Sequence, residues 1–200
     1  MTTIADPRAH RRTGEELLAA VHEATLAEIS EQGLRGASMD SIARRAGTGK
    51  AALYRRWANV RDLGLDVFLT TMAQAVPESY PDTGTLRGDL LGSMTAFTEL
   101  LRGSMSTVVR ELISESAHDP ALVQEFRTRM AEPMEAELVG VLQRAMTRGE
   151  IPNQPIDPFI FEIPDAIVIH RLLIYGEVPD DDTCAQLIDR VIVPLLQRTR

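Results

Sequence analysis

The 200-residue chain contains one cysteine, Cys184, and its aromatic residues make up only 4% of the total. A single thiol excludes a disulfide framework and a cysteine-rich zinc site. No run approaches the ~18 consecutive apolar residues that a membrane-spanning helix needs. The polar N-terminal stretch has no apolar signal-peptide core. We therefore expect a cytoplasmic protein without a membrane partner, long enough to bury its own core.

Sequence patterns of strands and of common catalytic sites are also absent. No segment alternates apolar and polar residues over the length of a strand, which predicts an all-α fold. The chain has no G-x-S-x-G or H-E-x-x-H motif and no phosphate-binding loop. Its four histidines show no metal-ligand spacing: His10, His22, His118 and His170. We therefore expect no enzyme activity, no metal and no cofactor.

Basic residues are fewer than acidic ones, and charge is unevenly distributed along the chain, whose net charge is −8. Residues 1–62 carry 10 Lys/Arg against 8 Asp/Glu, and residues 63–200 carry 11 against 21. Within 35–61, seven basic residues accompany a single acid, Asp40. Attraction to phosphate acts over about 8–10 Å, so a local basic patch is sufficient for DNA binding. The first third of the chain is therefore the candidate nucleic-acid interface.

Helical periodicity, the capping residues Ser38 and Asp119 and the glycine stop at Gly33, among other such signals, predict about nine helices. Their expected ranges are 14–32, 39–46, 50–57, 59–77, 85–101, 104–116, 120–148, 158–175 and 183–196. Pro133 and Pro164 are expected to kink the two helices that contain them. The Pro/Gly-containing segment 77–84 divides the chain. We predict a flexible tail over 1–12, an N-terminal domain over 13–76 and a C-terminal helical domain over 84–200.

The segment 38–57 has the pattern of a helix-turn-helix, in which two short helices are joined by a glycine-containing turn. Ala43 and Ala46 are small enough to let the two helices approach closely. A helix in the major groove reads base edges with long polar or small side chains, while hydroxyl and cationic groups contact phosphates. The candidate DNA-binding residues are Ser38, Arg44, Arg45, Thr48, Lys50, Ala51, Tyr54, Arg55 and Arg56. For Arg44 and Arg45, simple exposure to solvent is an equally good interpretation.

This N-terminal pattern resembles the DNA-binding domain of the TetR family of transcriptional regulators over about residues 11–72. The resemblance rests on Gly33 to Ser38, Ile42-Ala43, Ala46-Gly47, Leu53-Tyr54, Trp57 and Leu63. It implies a homodimer that reads a palindromic operator on double-stranded DNA, usually as a repressor. A small molecule in the C-terminal domain would then weaken DNA binding by respacing the two helix-turn-helix units.

The resemblance also assigns roles to individual positions. Lys50, Ala51 and Arg55 would face bases, while Ser38, Thr48, Tyr54 and Arg56 would face phosphates or the groove wall. Gly49 stands where the family usually has Ser, and Val60 stands where it usually has Lys. The resemblance implies a phosphate contact at position 60 that Val60 cannot make, and Arg61 is a candidate replacement for it.

The C-terminal domain is rich in Met and Phe, which suits an adaptable apolar pocket between helices. The candidate pocket residues are Met94, Phe97, Met105, Phe126, Met130, Met134, Phe161 and His170. Plain core packing is the alternative for the apolar members, and packing or interface hydrogen bonds for His170. The implied ligand is a small apolar effector.

The last helix carries a wide apolar stripe that could form half of an intersubunit four-helix bundle with helix 158–175. The candidate interface residues are Ile167, Leu187, Ile188, Val191, Ile192 and Leu195, with intramolecular core as the alternative. A second functional hypothesis also stays open. The chain could be a helical small-molecule binding or interaction protein that has lost operator binding.

Overall fold

The computed structural model describes residues 14–75 and 81–198, and within these ranges it contains helices and no strand. Counting segments that follow one another without a break as one helix gives nine helices in the described ranges, which confirms the all-α prediction. The predicted tail 1–12 lies outside the described residues, as does part of the predicted boundary at 77–84. The division into domains at that point stays a prediction.

Four helices form the N-terminal part: α1 Gly14–Gly36, α2 Met39–Arg45, α3 Lys50–Tyr54 and α4 Val60–Ala75. The regular path of α1 breaks at Gly33, where φ is 70°. This left-handed conformation favours glycine, so the first helix changes direction at the predicted stop. Helix α3 ends at Tyr54, three residues before the predicted end. Its last turn tightens, because the Arg56 N–H donates to the Leu53 carbonyl at 2.9 Å.

Five helices form the C-terminal part, and three of them combine adjoining segments. Helix α5 is Leu86–Leu100 and α6 is Ser104–Ser116. Helix α7 (120–148) joins Pro120–Phe126, a π-helical turn at Arg127–Ala131 and Glu132–Arg148. Helix α8 (159–175) joins Phe159–His170 and a π-helical turn at Arg171–Tyr175. Helix α9 (181–197) joins Asp181–Leu187, a π-helical turn at Ile188–Ile192 and Val193–Gln197.

Side-chain caps start α2 and α7 at the residues that the sequence indicates. The Ser38 hydroxyl accepts from the Ser41 N–H at 3.1 Å, and the Ser41 hydroxyl accepts in return from the Ser38 N–H. The Asp119 carboxylate accepts from the Ala121 N–H at 2.9 Å, and Pro120 follows it. These bonds satisfy backbone donors that have no partner within a helix. The predicted caps at Ser38 and Asp119 are confirmed.

Helix α6 joins the two parts of the chain. It packs along α1 and α4, and Val108 and Leu112 on it are fully buried. At the Gly33 break, the Leu34 N–H donates to the Glu111 carboxylate on α6 at 2.9 Å. One continuous apolar core therefore runs from the helix-turn-helix segment into the C-terminal helices.

Candidate nucleic-acid interface and ligand cavity

Helices α2 and α3 form the predicted helix-turn-helix. Ile42, Ala43 and Leu53 are buried between them and the rest of the N-terminal core. The turn uses Gly47 in the left-handed conformation, with φ of 67°, and the Thr48 N–H donates to the Ala43 carbonyl at 2.9 Å. The small side chains and the glycine thus fix the angle at which α3 leaves α2.

The opposite side of α3 is open to solvent. Lys50, Ala51, Tyr54, Arg55 and Arg56 are all exposed, and 49% of Tyr54 is accessible. The Lys50 ammonium lies 5.6 Å from the centre of the Tyr54 ring, so these two side chains share one face. It also pairs with the Asp40 carboxylate of α2 at 2.6 Å. Reading a base with Lys50 therefore requires this surface ion pair to open.

Trp57 anchors the end of α3 against α1 and α4. Its indole N–H donates to the Asp66 carboxylate at 3.1 Å, and the Arg56 guanidinium lies 4.9 Å from its ring centre. The imidazole of His22 on α1 lies 3.5 Å from the same Asp66 oxygen. Burial lowers the pKa of His22, although Asp66 opposes the shift. These contacts hold Arg56 at the edge of the exposed face of α3.

The two arginines of α2 occupy different environments. Arg45 donates to both carboxylate oxygens of Glu31, at 2.9 and 2.6 Å, and lies 3.3 Å from Glu28. This fork-shaped pairing ties α2 to α1, so the structure gives Arg45 a packing role. Arg44 is exposed and forms no ion pair with any residue in 14–75 or 81–198. Arg44 is therefore the better candidate for a phosphate contact.

The two departures from the family pattern have clear structural consequences. Gly49 occupies the N-cap of α3, and no side chain caps that helix. Arg61, the candidate replacement at Val60, pairs with Asp62 at 3.1 Å and with the capping carboxylate of Asp119. Arg61 thus bridges the start of α4 to the start of α7. It would have to leave both carboxylates to bind a phosphate.

A cavity of about 300 Å³ lies between α5, α7, α8 and α9. Its wall is mainly apolar, and four of the eight predicted pocket residues line it: Met94, Phe97, Met134 and Phe161. Ile188 and Ile192, both predicted at a dimer interface, also line the cavity and are only 2% exposed. Those two interface assignments are wrong, because these side chains face inward onto the wall.

The other four predicted pocket residues lie away from the cavity. Met105 is buried in the core at the start of α6. Phe126 packs edge-on against Phe68 of α4, with ring centres 6.4 Å apart. Met130 packs half-buried against the core, and His170 is exposed with its ring 5.6 Å from that of Tyr175. None of these four side chains lines the cavity, so the structure does not support their placement in this pocket.

Three carboxylates line the cavity, and the sequence reasoning missed all of them: Glu135, Glu162 and Asp165. Burial raises the pKa of Asp165 to about 6, because an apolar environment disfavours the ionised form. Glu135 and Glu162 are exposed and therefore lie at the rim. The available signal was Asp165 itself, a lone acid inside the apolar run from Ile163 to Ile169.

Two kinds of site are not found in the described ranges 14–75 and 81–198. No helix there is long and apolar enough to cross a membrane. No group of three His, Cys, Asp or Glu side chains is arranged to hold a metal ion.

Comparison with known proteins identifies the two parts of the chain. The family model described as bacterial regulatory proteins, tetR family, matches residues 22–66. A second model, described as tetracyclin repressor-like, C-terminal domain, matches residues 80–191 and so covers more than half of the chain. This chain belongs to the TetR family. TetR-family regulators are transcription factors, not enzymes; they bind DNA and small-molecule effectors and function as dimers.

Individual TetR relatives agree with the family models over almost the whole chain. An HTH-type transcriptional regulator of Mycobacterium bovis is 32% identical over 206 residues, spanning 100% of this chain and 97% of its own. The DNA-binding transcriptional repressor TetR of Mycobacteroides abscessus is 30% identical, spanning 92% and 96%. The crystal structure of the TetR family regulator SCO0332 superposes with a TM-score of 0.67 at 27% identity, covering 88% and 97%. The chain is thus a TetR-family DNA-binding transcriptional regulator.

Helices α8 and α9 carry several large apolar side chains that are exposed to solvent. Ile167 is 37% exposed and Val191 is 36% exposed, whereas Leu187 and Leu195 are half-buried. The sequence reasoning missed four further exposed residues on α8: Phe159, Leu173, Ile174 and Tyr175. Their spacing places much of this apolar surface along one side of α8.

Proposed function

We propose that this chain is a ligand-responsive repressor, which binds a palindromic operator in the cytoplasm as a homodimer and is released by a small, largely apolar effector. The observation that carries the proposal is the exposed face of α3. On this helix Lys50, Ala51 and Tyr54 are exposed while Leu53 is buried, and the exposed Arg55 and Arg56 follow directly after the helix. Such a face suits direct reading of the major groove.

Two observations support the dimer and the effector. The exposed apolar residues of α8 and α9 form a surface that solvent disfavours and a second copy would cover. The cavity between α5, α7, α8 and α9 borders the same two helices, since Ile188 of α9 and Val168 of α8 line it. A ligand in the cavity would therefore act on the helices that set the spacing of two recognition helices. The name of the Mycobacteroides abscessus relative supports repression rather than activation.

The second candidate is a small-molecule binding or interaction protein that no longer recognises an operator. The uncapped start of α3 at Gly49 and the engagement of Arg61 with Asp119 favour it. Both features remove contacts that a DNA-bound TetR domain would be expected to use, but neither disturbs the exposed face of α3.

Selection of binding sites from a random duplex pool at about 150 mM salt distinguishes these functions. We expect an enriched inverted repeat, because two copies related by a two-fold axis read two half-sites. Binding of the selected site should weaken steeply with salt, since phosphate contacts release counterions. Absence of any enriched sequence with a folded dimer would contradict the repressor and favour the second candidate.

Replacement of Arg55 by Ala is expected to reduce affinity for the selected operator by roughly 5- to 150-fold, the equivalent of about 1–3 kcal/mol. Arg55 is exposed and forms no ion pair within residues 14–75 and 81–198, so the substitution breaks no ion pair there. Fluorescence anisotropy with operator and random duplexes measures the effect. The loss should be much smaller on random DNA, because a base contact discriminates between sequences.

The matched variant is Arg44→Ala on α2. It should weaken operator and random DNA by the same factor, because a phosphate contact carries no sequence information. If Arg55→Ala also weakens both duplexes equally, base reading by Arg55 is wrong.

A further inference from the structure

We propose that the cavity between α5, α7, α8 and α9 binds an amphiphilic cation, an ammonium or protonated amine attached to a hydrocarbon group. Asp165 contacts the positive charge inside the cavity, and Glu135 and Glu162 attract it at the rim. The inference rests on the proposed function, because it gives the chemical class of the effector for the same cavity.

The wall of the cavity requires a hydrocarbon portion in the ligand. Leu90, Met94, Phe97, Leu138 and Val168 surround the space. Burying the apolar surface of a ligand here is favourable in proportion to the area removed from water. Methionine side chains adapt to irregular shapes, so the wall accommodates varied hydrocarbon groups.

The charge of the ligand follows from the three carboxylates. None of the residues that line the cavity is Lys, Arg or His. Within residues 14–75 and 81–198, Asp165, Glu135 and Glu162 form no ion pair and accept no hydrogen bond. The nearest basic residues along α7 are already paired, Arg127 with Glu132 at 3.1 Å and Arg129 with Glu125 at 3.4 Å. The cavity thus has negative charge and no internal counterion.

Asp165 occupies the position where a counterion has the greatest effect. It is the least exposed of the three carboxylates, and it follows Pro164 on the part of α8 that borders the cavity. With a pKa of about 6 the carboxyl is ionised at pH 7.5. A charge in an apolar environment attracts an opposite charge far more strongly than it would in water. An anionic ligand would add a second negative charge and is disfavoured.

Three probes of equal chain length separate charge from hydrophobicity: decyltrimethylammonium, decanol and decanoate. Isothermal titration calorimetry with the full-length protein at pH 7.5, below micellar concentrations, measures each affinity. We expect the cation to bind at least roughly tenfold more tightly than decanol, a tenfold ratio being about 1.4 kcal/mol. Decanoate should bind most weakly. Equal affinities for cation and alcohol, tighter binding of decanoate, or no binding of any probe would overturn the inference.

Asp165→Asn should reduce affinity for the cation roughly tenfold and leave decanol binding unchanged, which shows that the cavity is intact. Asp182→Asn is the matched control, because Asp182 is exposed at the start of α9 and does not line the cavity. It should leave both affinities unchanged. If Asp165→Asn does not fold, the double variant Glu135→Gln/Glu162→Gln makes the same test. Undiminished cation binding in the folded variants would overturn the inference.

Operator release distinguishes failure of this inference from failure of the proposed function. Addition of the cation to the complex of protein and selected operator should lower DNA affinity. Tight cation binding with unchanged DNA affinity would contradict the ligand-responsive repressor and support the cationic site. If decanol released the operator as effectively as the cation does, the ligand-responsive repressor would be supported and the cationic site contradicted.

Discussion

Replacement of Asp89 by Asn is expected to lower the free energy of unfolding by about 2 kcal/mol, since removal of one partner of a buried ion pair is costly. For a chain of this length the melting temperature should fall by roughly 4–8 °C. The carboxylate is fully buried on α5. Its oxygens accept from the Thr83 N–H at 2.6 Å, the Thr83 hydroxyl at 2.7 Å and the Arg148 guanidinium at 3.3 Å.

Asp89 also connects two of the helices that line the cavity. Its carboxylate connects α5 to the C-terminal end of α7, where Arg144 lies 3.8 Å away and Arg148 3.3 Å away. Both helices line the cavity. Loss of this connection should therefore also weaken ligand binding without any change in a residue that contacts the ligand.

Asp82→Asn is the matched control, because Asp82 lies 3.6 Å from the same Arg148 but is 65% exposed. An exposed ion pair contributes little, typically about 0–1 kcal/mol. Thermal unfolding at pH 7.5 of the wild type and both variants measures the difference. Equal effects of Asp82→Asn and Asp89→Asn would show that burial of Asp89 does not matter.

The pH dependence should follow from the lowered pKa of Asp89. Burial raises the pKa of this carboxyl, but the hydrogen bonds from Thr83 and Arg148 outweigh burial and hold it below the usual value. The stabilisation is therefore fully present above the pKa of an unfolded Asp, about 3.9, and is lost only as pH falls through the lower folded value. Between pH 8 and 5 the deficit of Asp89→Asn should stay constant.

Local signals in the sequence predicted most of the fold. The capping residues Ser38 and Asp119 and the break at Gly33 each act within one turn of the backbone, so they can be read without a structure. The early end of α3 at Tyr54 was not predictable in this way. It depends on the tightened last turn, in which the Arg56 N–H donates to the Leu53 carbonyl, and on Trp57, whose indole N–H donates to Asp66 on α4.

The cavity was predicted only in part, because its wall and the core have the same composition. Met94 and Met105 are 8% and 5% exposed, yet only Met94 lines the cavity. Likewise Ile188 and Val191 belong to one apolar stripe of α9, but Ile188 faces the cavity and Val191 faces solvent. Which face of a helix borders a void depends on the helices packed around it. The sequence of one helix does not contain that information.

Replacement of Asp165 by Asn is expected to stabilise the ligand-free protein at pH 7.5, whereas replacement of Asp89 by Asn destabilises it. Burial raises the pKa of Asp165 from 3.8 to about 6, and the shift corresponds to at most about 3 kcal/mol against folding with the group ionised. Because the amide must also be accommodated without hydrogen-bond partners, the expected gain is about 1–2 kcal/mol. The melting temperature should rise by roughly 3–6 °C.

The direction in which the stability gain of Asp165→Asn changes with pH distinguishes removal of a buried charge from improved packing. The folded protein holds the Asp165 proton more tightly than the unfolded chain does, so acidification relieves the penalty in the wild type. The penalty is complete above the folded pKa of about 6 and disappears as pH falls toward the unfolded value near 3.9. The advantage of Asp165→Asn should therefore shrink between pH 7.5 and 4.5. Glu162 on α8 and Glu135 on α7 are the titratable groups that share the cavity, while α5 and α9 contribute only apolar side chains and Ser93.

Decyltrimethylammonium adds a last test, because a ligand stabilises the folded state more strongly the more tightly it binds. If the cation neutralises Asp165, it should raise the melting temperature of the wild type at pH 7.5 more than that of Asp165→Asn. The two proteins should then become closer in stability as the ligand concentration increases. An Asp165→Asn variant that is less stable than the wild type without ligand at pH 7.5 would show that the carboxylate is satisfied inside the protein. In that case the cavity would have no need of a cationic partner.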